Sequence, residues 1–422
     1  MMFFALSTGP SRASARLLLA LLLCILPTLV RAQSSPRFVV ETVSATSPRI
    51  ALQALGVDGK VRAKSEDTPE REWAGVVALR RPEIKLPALL TRNFVCLNNG
   101  DRLPLDADAS AQLDGSKLKV WPAASLPELR AKGLALFVPN VEFVFWSIPE
   151  DIENPHRFFM QLESQTRKRD AVYLVSGDRL DGTVIALSGK EGCVTMVGDR
   201  KVHTSWSRLA GIAWNTERQA KLHTKGAYWR GVLEGGARVN LNEITFDAKS
   251  RRWAGKTQFG VALDLPEAAL LDLERKMGEA VDLSDLSPAR YEHRPFLGAT
   301  WPLVKNMSVT DGMLRIGGNA YETGLGTHAA CRITYNLDKQ YQRFMCVAGI
   351  DESAPRGRAI VALELDGKRI DINDGKELTA QTPPVPVHAD LRDVRTLTLI
   401  VEHGSFGDVQ AHVNFAQACL TK

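Results

Sequence analysis

Cysteine is scarce in this chain, with six residues in 422, and no two of them stand at C-x-x-C spacing. A set so sparse is not a disulfide framework, so stability must come from apolar burial, for which the chain is long enough. No block of like charge occurs; 53 basic and 48 acidic side chains are spread along the sequence. Nucleic acid is therefore not an implied partner. The G-x-S-x-G, H-E-x-x-H and P-loop signatures are missing, so no nucleophile elbow, zinc helix or phosphate cradle is spelled out. Beyond residue 30 no apolar run approaches the roughly 20 residues of a membrane-spanning helix. What is present is ordinary for a folded chain: 45% apolar and 24% charged residues, which excludes dominant disorder and a collagen-like repeat. At about 100–200 residues per domain the length predicts two to four domains.

The N-terminus carries the clearest local signal. Arg12 and Arg16 precede an apolar run from Leu17 to Val30, which closes on Val30-Arg31-Ala32. A positive start, a short apolar stretch and small residues at the cleavage positions describe a secretory signal over residues 1–32. A membrane anchor is the alternative, and Pro27 and the shortness of the run count against it. Leu23 stands before Cys24, where a lipid-anchor signal needs a small residue. The expectation is an exported protein, periplasmic, cell-surface or extracellular, beginning near Gln33. Arg12, Arg16 and Arg31 would leave with the leader, lowering the formal charge from +5 to +2. Cys24 would go too, leaving Cys96, Cys193, Cys331, Cys346 and Cys419.

Downstream, a seven-residue pattern recurs. Leu97-Asn98-Asn99-Gly100-Asp101-Arg102-Leu103 returns as Leu174-Val175-Ser176-Gly177-Asp178-Arg179-Leu180 and, more weakly, as Leu233-Glu234-Gly235-Gly236-Ala237-Arg238-Val239. A glycine able to take positive φ between apolar stretches is turn chemistry joining two strands. Residues 33–165 and 166–282 read as units of small antiparallel strands. Leu134 to Trp146 is apolar enough for a buried strand pair around Pro139-Asn140. From Leu263 to Leu286 two readings stay open: Leu270, Leu271 and Glu274 suit a helix, while Gly278-Glu279 suits a hairpin turn. Ser287-Pro288 marks a boundary.

The remainder alternates as half-buried strands do: Arg332 to Leu337, Phe344 to Ile350, Ile360 to Leu365, Leu397 to Val401 and Val413 to Leu420. Asp366-Gly367 is a tight-turn pair and Pro383-Pro384 a loop. Short strands at this spacing predict a β-sandwich. The fold class is thus all-β, with tandem small antiparallel units followed by a sandwich.

Two motifs fail their structural context. Gly324-Leu325-Gly326-Thr327-His328-Ala329 fits a loose dinucleotide pattern, but a strand follows it rather than a helix. Asp371-Ile372-Asn373-Asp374-Gly375 has its glycine one place early for a calcium loop and no Glu at the twelfth position, so it reads as a turn. Two-carboxylate hydrolysis has no spacing that singles out a pair among 48 acidic residues.

Leu283-Ser284-Asp285-Leu286 and Tyr291-Glu292-His293-Arg294-Pro295-Phe296-Leu297-Gly298 are followed in order by the Gly324–Ala329 motif, Tyr335-Asn336-Leu337, Tyr341-Gln342-Arg343-Phe344, Val347-Ala348-Gly349-Ile350-Asp351 and Leu365-Asp366-Gly367-Lys368. This series over residues 283–422 resembles the novel putative carbohydrate-binding module (NPCBM) family, associated with family 98 glycoside hydrolases. The resemblance implies a galactose-binding-like β-sandwich, of the kind often attached to glycoside hydrolases in secreted bacterial proteins. Small β units with Gly-Asp-Arg-Leu turns accompany such modules, a looser similarity. Near the C-terminus the family pattern is acidic, His, Ala, acidic, Trp; this chain has Ala411-His412-Val413-Asn414-Phe415. His412 is kept, both carboxylates are gone and Phe415 replaces Trp, which weakens any metal or sugar contact those groups make in relatives.

Sugar recognition needs an aromatic face and planar polar groups that pair with adjacent hydroxyls. Trp301 and Tyr321 are the candidate faces; His328, Asp351, His412 and Asn414 are the candidate polar partners. The competing reading has His328 and Asp351 satisfying buried backbone groups at strand ends, and alternation puts Phe415 in the core. No catalytic residue and no cofactor are implied; a structural calcium is left open. The expected partner is a glycan or polysaccharide bound without catalysis. The rival is a cell-envelope scaffold that binds protein and carries an inert sandwich, and an enzyme within 33–282 comes third. A hairpin turning at Asp338-Lys339 would set Ile333 opposite Phe344 and Cys331 opposite Cys346, making a disulfide feasible in an oxidising compartment, although directly opposed cysteines strain the bridge.

Overall fold

The computed structural model describes residues 37–64, 69–222, 226–296 and 300–422. The secretory leader expected over residues 1–32 lies outside them, as does Leu297-Gly298 of the family motif.

Turn chemistry organises the upstream region. In the first copy of the repeat, Phe94–Leu97 and Arg102–Pro104 form a hairpin in which Leu97 N donates to Asp101 O and Gly100 N to Leu97 O, both at 2.8 Å. In the second, Leu174 N donates to Asp178 O at 2.9 Å and Gly177 N to Leu174 O at 3.1 Å, joining Asp170–Leu174 to Arg179–Ser188. In the third, Leu233 N donates to Ala237 O at 2.9 Å between Tyr228–Leu233 and Arg238–Asp247. Gly100, Gly177 and Gly236 occupy the same place with φ of 85°, 94° and 86°, a region that penalises any side chain. The repeated heptad is one turn used three times. Arg102 and Arg238, at matching positions of the first and third copies, also face each other across an antiparallel bridge.

Among the described residues the upstream strands join in one branched network of 18. It runs across the expected division at 165/166, since Phe143 pairs opposite Ala213 and Leu79 opposite Leu273. The Leu134–Trp146 expectation needs correcting. Leu134–Phe137 pairs with Lys117–Val120 in a three-stranded sheet, whereas Val141–Phe145 pairs with Phe94–Leu97 and Leu209–Ala213. The helical turn Val138–Asn140 sends the two strands into different sheets. A helix not foreseen in the sequence, Pro155–Ser164, starts at Asn154, whose side chain accepts from Arg157 N, with Pro155 suited to the first turn. It buries Phe159 among Phe94, Phe143 and Phe145. The ambiguous stretch after Leu263 is β: Ala262–Pro266, Leu270–Lys276 and Ala280–Asp282.

The C-terminal region is a sandwich. One sheet runs Val304–Lys305, Gly324–His328, His412–Thr421, Arg343–Ile350, Val385–Asp390; the other runs Arg290–His293, Cys331–Asn336, Thr396–His403, Arg358–Leu365, Lys368–Asp371. Their inner faces share a core of Leu325, Ile333, Tyr335, Phe344, Val361, Leu399, Val413 and Phe415. Phe415 is a core residue, as alternation predicts. Ala280–Asp282 pairs with the chain end, Ala280 opposite Thr421, so the sandwich begins one strand before the expected start at Leu283.

The expected Cys331–Cys346 hairpin does not form. Cys331–Asn336 pairs with Arg290–His293 and Thr396–His403, while Arg343–Ile350 lies in the other sheet beside Val385–Asp390 and His412–Thr421. The Leu337–Tyr341 connection is a crossover between layers, not a β-turn within one. Both cysteines are buried in the shared core, and all five described cysteines are free thiols.

Candidate functional site

The strand His412–Thr421 sets out the candidate residues along one line. Val413 and Phe415 point into the core, so His412, Asn414 and Ala416 face outward. Opposite them on the neighbouring strand stand His328, Gly326 and Gly324, and Gly349 flanks Asn414 on the other side. The glycines let the segment between Trp301 and Thr323 lie directly on the sheet. A Cβ at Gly326 would fall 2.3 Å from Met307 O, and one at Gly349 would fall 2.2 Å from Ile316 Cγ2.

At His412 the rings gather. His328 and His412 lie 5.0 Å apart, and the half-buried indole of Trp301 stacks on His328 at 4.6 Å and meets His412 edge-on at 5.2 Å. The backbone holds this stack: Tyr291 Oη donates to Trp301 O at 2.8 Å, and Trp301 N approaches His293 Nδ1 at 3.4 Å. His328 is 1% exposed; its Nδ1 donates to Ala329 O, with Asp408 Oδ1 3.4 Å away. Burial lowers the pKa of His328, and burial together with the neighbouring His328 lowers that of His412 to about 4. Both rings are neutral at pH 7.

At Asn414 the geometry is closed. Asn414 Nδ2 donates to Asp351 Oδ2 at 2.6 Å, and Asp351 also accepts from Ser353 N and Arg315 N. Asn414 and Asp351 are 1% and 2% exposed. They fasten the overlying Leu314–Ile316 strand to the sheet. Tyr321 is separate again. It packs with Leu314, Ile316 and Ala416, four residues along the strand from the histidines, or about 13 Å. Of the candidate residues, the fold brings Trp301 and His328 together and leaves Tyr321 apart from them. The physical reason is that Tyr321 sits on the Asn319–Tyr321 strand beyond the Gly324 end of its neighbour.

Several neighbours of the histidine cluster escaped sequence reasoning. His293 stands 6.0 Å from His328. Phe296 lies against His403 at 5.8 Å, and Arg358 covers one face of Phe406 at 4.2 Å. Phe296 and Phe406 are 63% and 50% exposed. Beneath this rim, His403 Nδ1, Asp408 Oδ1 and His412 Nδ1 are buried without a hydrogen-bond partner. Phe296 and His293 belong to the Tyr291–Gly298 motif, but nothing in the sequence shows that residues 403–408 arrive beside it. Among the described residues no three His, Cys, Asp or Glu side chains converge as a metal site would require.

Comparison with known proteins agrees with this architecture. The NPCBM/NEW2 domain family matches residues 279–421. Among solved structures, a CBM51 module from Clostridium perfringens GH95 in complex with methyl-galactose is 24% identical, covering 34% of this chain and 99% of its own, with a TM-score of 0.31. The CBM51-2 and INT domains of Clostridium perfringens ZmpB, in complex with GlcNAc, are 16% identical over 43% of this chain and 44% of theirs, at a TM-score of 0.31. Tandem CBM51 modules of the family 98 glycoside hydrolase from Streptococcus pneumoniae SP3-BS71 are 13% identical over 63% and 91%, at 0.29. No curated protein matches the chain. The stretch that the NPCBM/NEW2 domain family matches, residues 279–421, coincides with the C-terminal β-sandwich.

Proposed function

We propose that this protein is an exported, non-catalytic glycan-binding protein whose sandwich holds sugar at the rim formed by Trp301, Phe296 and Phe406. The observation that carries the reading is an indole stacked on His328, which also meets Asp408, together with exposed Phe296 against His403 and exposed Phe406 between His403 and Asp408 in the chain. A fixed aromatic face binds the apolar face of a sugar ring with little entropy left to lose. The carboxylate of Asp408, whose side chain is 25% exposed beside His328, offers an acceptor to sugar hydroxyls. The family match supports sugar as the ligand class. No helix among the described residues is long and apolar enough to cross a membrane.

A second reading has its own support. Burial of Asp351, Asn414, His328 and His412 fits an inert sandwich serving a cell-envelope scaffold. A glycan array on the chain without its leader separates the two. Saccharide binding that falls at least tenfold in Trp301→Ala and Phe296→Ala supports the rim. No saccharide binding together with a captured envelope protein supports the scaffold, and release of a cleaved product would indicate an enzyme. Single monosaccharides should bind weakly, because an open surface buries little of a small ligand.

A further inference from the structure

At the other end of the His412–Thr421 strand, a cavity of about 500 Å³ lies between the sandwich and the upstream strands. Both parts of the chain build its wall. The sandwich contributes Tyr321, Glu322 and Gln417; the upstream strands contribute Tyr228, Arg230 and Glu274. Met277, 70% exposed, stands at its rim. The distance from His412 to Gln417 along the strand is about 17 Å, at 3.3–3.4 Å per residue, so the cavity is distinct from the aromatic rim.

Apart from the exposed Asp285, the charges in this wall are already matched. Glu322 accepts from Arg230 at 2.8 Å and from Arg238 at 2.6 Å. Glu274 meets Lys276 at 2.9 Å and Arg80 at 3.0 Å, Asp272 meets Arg80 at 3.4 Å, and Asp282 meets Lys276 at 2.7 Å. An entering ion would have to break one of these pairs and leave a charge uncompensated in a buried place. An uncharged ligand faces no such cost and can still hydrogen-bond to carboxylate lone pairs and to N–H groups left over from the pairs. Two hydroxyls are also free to take part: among the described residues, no hydrogen bond occupies Tyr228 Oη or Tyr321 Oη. Cavities of about 300–1,000 Å³ are the usual size of small-molecule sites, which here leaves space for one or two sugar rings.

We propose that this junction cavity is a second ligand site, for an uncharged polyhydroxylated molecule of mono- or disaccharide size, formed only where the sandwich docks on the upstream strands. The test is calorimetric titration of the full chain with galactose, N-acetylglucosamine and lactose, with inorganic phosphate and spermidine as charged probes. The expected result is sugar binding that persists in Trp301→Ala and weakens at least tenfold in Tyr228→Phe/Tyr321→Phe, which deletes the two hydroxyls and no ion pair. Should the double variant lose melting temperature, the single Tyr228→Phe gives the same comparison. Sugar binding abolished by Trp301→Ala but untouched by the tyrosine changes would overturn the proposal while leaving the rim intact. So would phosphate or spermidine binding more tightly than any sugar, or no sugar binding at millimolar concentration.

Discussion

The indole of Trp301 and the imidazole of His328 lie 3° from parallel with centroids 4.6 Å apart. His328 in turn stands directly opposite His412 on the next strand. A loop residue is thus held to the sheet by a column of rings whose histidines are neutral when folded, and that arrangement has a pH signature.

His412 titrates at about 4 in the folded chain because of burial and its neighbour His328, against roughly 6.5 when unfolded. Between those values the unfolded chain takes up a proton that the folded chain refuses. The stabilisation is complete above pH 6.5 and is lost as pH falls toward 4. The His412→Gln variant should therefore gain melting temperature relative to the parent as pH drops from 7 to 4.5. A difference that stays flat across calorimetric scans in that range would show that the ring does not titrate as described.

Asp101 works in the opposite sense. Burial pushes its pKa up to about 7, against the attraction of Arg230, while the unfolded value is near 3.9. Its contribution is complete below pH 3.9 and is lost as pH rises through 7. Asp101→Asn keeps an acceptor for Asn240 N, which donates to Asp101 at 2.7 Å. Its stability relative to the parent should rise from pH 5 to pH 8, measured by denaturant titration at each pH.

Glu322 is the sandwich carboxylate that reaches Arg230 and Arg238. Although burial opposes its ionisation, the two guanidinium groups hold its pKa well below the usual carboxylate range. Removing it strands the buried Arg238 and leaves Arg230 with only Asp101, 3.5 Å away, so Glu322→Ala should cost about 3 kcal/mol of unfolding free energy. Glu322→Asp, which keeps the charge, should cost less. Equal losses in urea titrations would mean that packing, not charge pairing, is what the residue supplies.

The cysteines give a covalent test of the sheet assignment. Because Cys331 and Cys346 lie in opposite layers as free thiols, alkylating the unfolded, unreduced chain should label all five downstream cysteines. A peptide pair linked through residues 331 and 346 would contradict the layering.

Gly100 isolates the backbone contribution of the repeated turn. Its φ is 85° and a Cβ there would meet nothing within 4 Å. Gly100→Ala should then cost about 1 kcal/mol from conformation alone. A neutral result in equilibrium unfolding would remove the reason given for the glycine.

What sequence alone determined here is local. Positive-φ glycines in the three heptads produced the three matching turns, and alternation placed the sandwich strands within a few residues of their observed limits. The Asn154-Pro155 helix start was present as well, followed by Phe158, Phe159 and Leu162 at helical spacing, but a signal of only ten residues does not stand out in a β-rich chain. Strand partnership was beyond its reach, because pairing depends on residues far apart in the chain. Short loops suggested a Cys331–Cys346 hairpin, yet each strand had better partners in a different sheet. Burial is non-local for the same reason. Only the packed structure seals Asp351 and Asn414 beneath Arg315, brings Asp408 beside His328, and closes the charged cavity where Glu322 meets Arg230.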